Sequence, residues 1–251
     1  MNKDRVAVFV DWANARILIE KEIKNASATL QNLHFSYNDI DKLTYLFASF
    51  IVPKEERLFR IYLYDAEAMS SSELYNYAEK AVGTELFSRL KSEWEKATGN
   101  SYPSSRSERQ DMIHTRAQEF HRKIMRHNLY ALRLGEQRCR IDNAAKGEVS
   151  FFQKQVDMLL GIDIAHVSLL KQVEKVMVFS TDTDIAPALN IARLNGIQTI
   201  VSHLNKSFHP DMRIQKHCDF VRSLDFIDIY NDGESNGWDF RKISRTEQEF
   251  D

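Results

Sequence analysis

The spacing of apolar residues predicts a chain in which strands alternate with helices. Short apolar runs typical of buried strands occur at Arg5–Val10, Leu58–Tyr64, Asn128–Leu134, Lys175–Phe179, Ile197–Val201 and Phe226–Tyr230. Apolar residues three or four apart predict helices at Asn14–Lys24, Tyr37–Val52, Phe152–Leu170, Asp184–Asn195 and Pro210–His217. Alternating strands and helices indicate an α/β fold with a mainly parallel central sheet and helices on both faces, which is a three-layer α/β/α architecture.

One segment departs from this alternation. Residues 66–127 carry helical spacing at about 72–97 and 105–126 with no strand between the two helices. We therefore predict one domain over residues 1–230, interrupted by a mostly helical insertion at about 66–127. Residues 231–251 lack a clear pattern and are predicted to form a C-terminal tail.

Composition narrows the class of protein. With 43% hydrophobic and 28% charged residues among 251, the chain is typical of a globular protein, and a net charge of −2 excludes a polycation. Its two cysteines, Cys139 and Cys218, cannot build a disulfide framework or a four-cysteine zinc site, which favours a reducing, cytoplasmic location. No apolar run approaches the roughly 18–20 residues of a membrane span, and no signal-peptide core is visible, so we expect no membrane association.

Carboxylates follow the predicted strands at the positions where α/β proteins bind ligands. Asp11 directly follows the first strand, and Asp182 and Asp184 follow the strand that ends at Phe179. Asp157 lies near the start of the helix that precedes this last strand. Asp163 comes six residues later, a rotation of about 240°, so at most one of these two points straight into the cluster.

Such a cluster favours a divalent cation. Carboxylates in one crevice repel each other, and Mg²⁺ or Mn²⁺ relieves that repulsion with the hard oxygen ligands that these ions prefer. One or two bound ions can activate water and stabilise charge on a phosphoryl group, which indicates phosphodiester hydrolysis. The alternative for each aspartate is a turn or a helix N-cap without chemistry.

Three segments of the chain resemble the NYN domains, a branch of the PIN-like nucleases. Phe9-Val10-Asp11-Trp12-Ala13-Asn14 is similar to the opening Asp-x-x-Asn signature of that family. Lys154-Gln155-Val156-Asp157, continuing to Gly161-Ile162-Asp163, resembles its Lys-Gly-Val-Asp helix. Ser180-Thr181-Asp182-Thr183-Asp184 resembles its Ser-Gly-Asp-Ser-Asp segment, and Gly196-Ile197 matches the start of its next strand. The sequence departs from the family at Gln155 and Thr181, where glycines are expected, and at Ile185, where an aromatic residue is expected.

The resemblance implies a PIN-like, Rossmann-like fold and a Mg²⁺- or Mn²⁺-dependent ribonuclease. Under it, the metal ligands would be Asp11, Asp157, Asp182 and Asp184, and Asn14 would stand near the scissile phosphate as a further catalytic residue. Ser180 and Thr181 would contact and orient these ligands, and Asp163 would either do the same or be a structural acid. The match covers residues 5–65 and 150–230 and leaves 66–149 unexplained.

A basic segment offers a surface for RNA. Ten Lys and Arg against five Asp and Glu lie between residues 106 and 146, and a local excess of positive charge can hold a phosphate backbone. The residues predicted to contact RNA are Lys154, Arg122, Lys123, Arg126, Arg138 and Arg140. The alternative is a solvated helix face crossed by ion pairs.

Two other functions stay open on the same fold. A non-catalytic RNA-binding or regulatory module would bind RNA without metal-dependent cleavage, and a phosphatase would turn over small phosphate esters. The basic segment favours a polymeric substrate over the phosphatase, and Ala13 stands where a haloacid-dehalogenase-like phosphatase needs a second aspartate. If the protein assembles, a homodimer is the simplest expectation.

Overall fold

The computed structural model describes residues 2–27, 33–98, 104–143 and 148–250. The chain divides into two compact units. The first consists of Met1–Asp65, Lys123–Arg133 and Asp157–Asp251, and the second of Ala66–Arg122 and Leu134–Val156. No helix in these described ranges is both long and apolar enough to cross a membrane.

The described strands form a mostly parallel sheet. They are β1 (Asp4–Asp11), β2 (Glu56–Glu67), β3 (Tyr130–Asn143), β4 (Glu148–Lys154), β5 (Lys175–Phe179), β6 (Gln198–His203) and β7 (Phe220–Ser223). In the first unit the order is β3-β2-β1-β5-β6-β7. Strand β1 pairs in parallel with β2 and β5, β5 with β6, and β6 with β7. The chain of β3 continues into the second unit, where β4 pairs with it in antiparallel.

Helices complete a three-layer α/β/α arrangement of mixed α/β class. They are α1 (Trp12–Ser27), α2 (Ile40–Ala48), α3 (Ser71–Val82), α4 (Thr84–Thr98), α5 (Ser104–Arg126), α6 (Val156–Leu169), α7 (Ala186–Leu194), α8 (Met212–Gln215) and α9 (Phe226–Asn236). Short 3₁₀ turns occur at Thr183–Ile185, Phe240–Lys242 and Glu247–Glu249. The core is centred on β1 and β5, whose apolar side chains are buried, as expected for strands covered on both faces.

The predicted α/β class and most elements of the first unit are confirmed. Strand β5 has the predicted bounds, and α2 begins after Asp39, whose side chain accepts hydrogen bonds from the backbone N–H groups of Asp41 (3.1 Å) and Lys42 (3.3 Å). Helix α7 ends before Gly196, whose φ of +76° is readily adopted by glycine.

The C-terminal end differs from the prediction. Phe226–Tyr230, predicted as a strand, begins α9, because a short apolar run does not distinguish a strand from a buried helix face. Residues 231–250, predicted as a tail, contain the rest of α9 and two 3₁₀ turns. Ile243 and Phe250 are buried, and the Phe250 ring stacks on Phe50 with centroids 6.5 Å apart.

The second unit also differs from the prediction. The helix expected at about 72–97 is two helices, separated at Gly83, which has a φ of +83°. The helix expected from Phe152 starts at Val156, since Phe152 belongs to β4 and Gln155 takes a φ of +74°, which interrupts helical geometry. Strand β4 of this unit was not predicted, and neither was β7 in the first unit.

Candidate active site

The site begins where two neighbouring parallel strands end. Asp11 is the last residue of β1, and Ser180 directly follows β5. The register pairs Val10 with Phe179, so the next residue of each strand lies at the same edge of the sheet. The Ser180 hydroxyl accordingly donates to Oδ2 of Asp11 over 3.5 Å.

Asp11 is buried and firmly held. Its Oδ1 accepts the backbone N–H of Asn14 over 3.3 Å, and its Oδ2 accepts the side-chain amide of Asn14. Burial raises the pKa of the Asp11 carboxyl above its ordinary value, the Asn14 hydrogen bonds oppose this shift, and the negative charge of Asp182 adds to it. Asn14, predicted from the resemblance, thus lies in direct contact with Asp11.

The loop after β5 presents two further carboxylates. The backbone N–H of Asp182 donates to the Ser180 hydroxyl over 3.1 Å, which ties this loop to Asp11 through one side chain. Oδ1 of Asp182 accepts the N–H of Asp184 over 2.9 Å and caps the turn Thr183–Ile185. The N-cap alternative is therefore correct for Asp182, and a cap that uses one carboxylate oxygen is compatible with a role in ligand binding.

Asp157 joins these carboxylates from a third part of the chain. It lies in the first turn of α6. Burial raises the pKa of the Asp157 carboxyl, and the charges of Asp11, Asp182 and Asp184 raise it further. Asp157 is therefore within electrostatic reach of the other three predicted aspartates.

Asp163 belongs to a separate network. Its Oδ2 accepts hydrogen bonds from the Tyr64 hydroxyl and from Nε of Arg133, each over 2.9 Å. These contacts tie α6 to β2 and to the first residues of β3. Of the two roles expected for Asp163, its described contacts with Tyr64 and Arg133 fit the structural one. Of the two helix aspartates, Asp157 is the one whose pKa responds to the other carboxylates.

Arg213, which the sequence analysis missed, brings a positive charge to the site. It lies on α8, which contacts the turn after Asp182. Its ion pair with Asp211 (Nε–Oδ1, 3.0 Å) raises the pKa of the guanidinium, and the charges of Asp184 and Asp182 contribute in the same direction. No sequence motif marks Arg213, because its position depends on how α8 packs.

The basic residues predicted to bind RNA are distributed over both units. In the first unit, Lys123 donates to the backbone carbonyl of Asn38 over 3.1 Å, and Arg126 is exposed. In the second unit, Arg122 and Lys154 are exposed.

The other two predicted RNA contacts lie on β3. Arg138 forms an ion pair with Glu136 on the same strand (Nη2–Oε2, 2.7 Å), so its charge is locally offset. Arg140 also belongs to β3, and its side chain lies outside the described part of the structure. Neither residue therefore adds an unpaired cation to the described surface.

The chemistry of the donor set fits Mg²⁺ or Mn²⁺. The four aspartates supply hard oxygen ligands. Burial is the main cause of the raised pKa values of Asp11 and Asp157, and the neighbouring carboxylate charges, which a cation would offset, add to both shifts. In the described ranges, no three His, Cys, Asp or Glu side chains stand close enough together to surround a metal ion. The fit therefore rests on donor chemistry and charge.

No family model, no curated protein and no solved structure matches this chain. The likeness to NYN domains therefore rests on the short motifs around Asp11, Asp157 and Asp182. What the site can do has to be argued from its own geometry and charge.

Proposed function

We propose that this protein is a metal-dependent endoribonuclease of the NYN group of PIN-like nucleases, which hydrolyses RNA phosphodiester bonds at the four-aspartate cluster. One observation carries the proposal: Asp11 and the Asp182 loop meet through Ser180 where β1 and β5 end side by side, and the charges of these carboxylates reach Asp157 on α6. Uncompensated carboxylates that converge at the carboxyl edge of a parallel sheet are typical of a functional site.

Each residue has a distinct role in this proposal. Asp11, Asp157, Asp182 and Asp184 would hold Mg²⁺ or Mn²⁺, which would supply a more acidic water and offset charge on the phosphate. Asn14 fixes both oxygens of Asp11, and Ser180 links Asp11 to the Asp182 loop. Arg213 would attract the phosphate backbone towards the carboxylates.

The backbone at Gln155 supports the resemblance. This position carries glycine in the family motif, and Gln155 adopts a φ of +74°. Glycine takes such a conformation without steric cost, while other residues rarely adopt it. The chain thus keeps a local geometry that suits the family's glycine although the glycine is replaced.

The decisive experiment measures cleavage of end-labelled single-stranded RNA with Mn²⁺, Mg²⁺ or EDTA. We expect metal-dependent cleavage that falls at least about 100-fold in Asp182→Asn, because one charged ligand is lost while the cap acceptor is kept. Asp4→Asn is the matched control, since Asp4 begins the strand that Asp11 ends. It should retain full activity.

The outcomes separate the competing functions. Equal cleavage by the wild type and Asp182→Asn would contradict the nuclease proposal. Salt-sensitive RNA binding without cleavage would instead favour the non-catalytic RNA-binding module, and hydrolysis of small phosphate esters would favour the phosphatase.

The homodimer and the cytoplasmic location are further proposals of the same kind. The apolar side chains of Met158 and Ile162 are exposed and lie one turn apart on the same face of α6, and an exposed apolar patch is typical of an interaction surface. Light scattering on the purified protein measures the mass directly.

A further inference from the structure

A small cleft opens beside the acidic cluster, between α1 and the ends of β5 and β6. Its volume is about 190 Å³, below the roughly 300–1,000 Å³ of pockets for drug-sized ligands. Asn14, Ser180 and Thr181 line both the cleft and the edge of the cluster. An occupant of the cleft would therefore be one small ring system next to the carboxylates.

The walls of the cleft are largely apolar. Ala15, Ile17 and Leu18 of α1 form one side, and Phe179 of β5 contributes to the other. Ile17 is 62% exposed although it is a large apolar residue. Apolar walls of this kind favour a flat, uncharged group over a phosphate.

Two buried polar atoms at the cleft are without hydrogen bonds. The Ser202 hydroxyl and Nδ1 of His203 form no hydrogen bond of normal geometry within the described part of the chain. Ser202 is 2% exposed and His203 is 9% exposed, and both line the cleft. Since buried polar groups without partners are costly, an occupant of the cleft that meets these two atoms would gain the hydrogen bonds that they lack.

His203 faces the cleft as a neutral ring. Burial lowers the pKa of His203 to about 4, a hydrogen bond between the ring and the backbone of Asn205 opposes this shift, and the positive charge of Lys21 adds to it. The ring also stacks on Phe208, with centroids 3.9 Å apart, which fixes its orientation. A neutral imidazole can both accept and donate a hydrogen bond, which suits an uncharged polar ligand.

We propose that this cleft binds one unpaired nucleobase of an RNA strand, with Ser202 and His203 as its hydrogen-bonding partners. A nucleobase is flat, neutral and small, and its edge carries donors and acceptors. Lys21, exposed at the rim, would contact the sugar–phosphate chain outside. The inference rests on the proposed function for the identity of the polymer, since the base would belong to the nucleotide next to the phosphate at the aspartates.

The test measures mononucleotide binding in EDTA, where metal-dependent cleavage is absent. AMP, GMP, CMP and UMP are titrated into the full chain by NMR or calorimetry, with ribose 5-phosphate as the probe that lacks a base. We expect at least one nucleotide to bind about tenfold more tightly than ribose 5-phosphate, and Ser202→Val to weaken that binding about tenfold.

Ser223→Val is the matched control. Ser223 lies on the neighbouring strand β7, and its hydroxyl is likewise buried without a hydrogen bond in the described residues, but Ser223 does not line the cleft. Urea unfolding of both variants checks that each is folded. His203→Phe keeps the stacking on Phe208 and removes the hydrogen bond, so it should weaken nucleotide binding as Ser202→Val does.

The results separate the cleft from the nuclease activity. Three outcomes would each overturn the nucleobase assignment, even if RNA is cleaved. They are ribose 5-phosphate binding as tightly as every nucleotide, the absence of any nucleotide binding, and equal effects of Ser202→Val and Ser223→Val. Base-dependent binding that Ser202→Val alone weakens supports the cleft, even if no RNA is cleaved and the proposed activity fails.

Discussion

Two clusters of charge in the first unit are built in opposite ways. At the carboxyl edge of the sheet, Asp11 and Asp157 have raised pKa values because they are partly desolvated beside other carboxylates. The carboxylate of Glu56 is fully buried, and burial alone would raise its pKa, yet the charge and hydrogen bonds of Arg222, with hydrogen bonds from Lys175 and the Val52 backbone, lower it. Burial alone therefore does not decide how a carboxylate titrates.

The Glu56 network consists of Glu56, Lys175, Arg222 and Glu247. Arg222 donates to both oxygens of Glu56 over 2.8 Å, and Lys175 donates to Oε1 over 2.6 Å. Arg222 also reaches Glu247 over 2.8 Å, which attaches the C-terminal turn to the core. Each charge in this network has a partner, as expected of ion pairs that serve the fold.

Within the part of the chain that the structure describes, the acidic cluster lacks such compensation. Asn14 and Ser180 give hydrogen bonds to Asp11 but no charge, and the nearby Arg213 is paired with Asp211. A site that keeps its charges uncompensated is less stable than one that pairs them, and it is open to a charged ligand. The comparison thus separates residues that hold the fold from residues available for chemistry.

The largest effect is expected at Arg222. Arg222→Met should lower the free energy of unfolding by about 3–5 kcal/mol, because it leaves the buried charge of Glu56 without its main partner. Urea unfolding monitored by circular dichroism measures this loss. Arg241→Met, which removes an exposed arginine paired with Asp239, should leave the midpoint unchanged, and equal losses in the two variants would contradict the comparison.

A divalent cation should supply the compensation that the acidic cluster lacks. Mn²⁺ at about 100 times its dissociation constant should raise the free energy of unfolding by about 2.7 kcal/mol, since it binds only the folded chain. Thermal unfolding with Mn²⁺ and with EDTA measures the difference. Asp182→Asn should reduce the stabilisation and Asp4→Asn should not, so an undiminished shift in Asp182→Asn would place the ion elsewhere.

The sequence was sufficient to predict that Asp11 and the Asp182 loop meet at one edge of the sheet. Asp11 and Asp182 each follow a short apolar run, and the carboxyl ends of parallel strands meet at one edge, so local pattern and topology together place them. The face of α6 was also predictable in part. Helical rotation places Asp157 and Asp163 on different faces of α6. Only the positions of Tyr64 and Arg133 in the folded chain show that Asp163 is the one that lies outside the cluster.

The Glu56 network could not be predicted in the same way. Glu56 is separated by 119 residues from Lys175 and by 166 from Arg222, and no local spacing links such distant residues. Its C-terminal partner Glu247 lay in a segment predicted to be a tail, because turns anchored by single ion pairs leave no periodic pattern. The Ser202 hydroxyl and Nδ1 of His203, which have no hydrogen-bond partner among the described residues, were missed since burial of a polar atom is visible only in the folded chain.

Acid should weaken the Glu56 network in a defined direction. The folded-state pKa of Glu56 lies below its ordinary value of 4.5, so its contribution is complete above about pH 4.5 and is lost as the pH falls through the folded-state pKa. The difference in unfolding free energy between wild type and Glu56→Gln should therefore shrink between pH 5 and pH 3. The loss of unfolding free energy in acid is smaller than in Arg222→Met, because acid removes the charge of Glu56 and leaves its packing. A difference between wild type and Glu56→Gln that does not change with pH would contradict this prediction.

The smallest effect, of opposite sign, is expected at Asp157. The pKa of Asp157 is raised in the folded chain, so its ionised form opposes folding at neutral pH. Asp157→Asn should therefore stabilise the protein by about 0.3 kcal/mol. The gain is small because water screens the exposed side chain. The gain should vanish below the ordinary pKa of 3.8. Asp163→Asn on the same helix removes a charge that Arg133 pairs and should destabilise the protein. Urea unfolding of both variants at pH 7 and pH 3 measures the two signs, and destabilisation by both would mean that Asp157 is a structural carboxylate like Asp163.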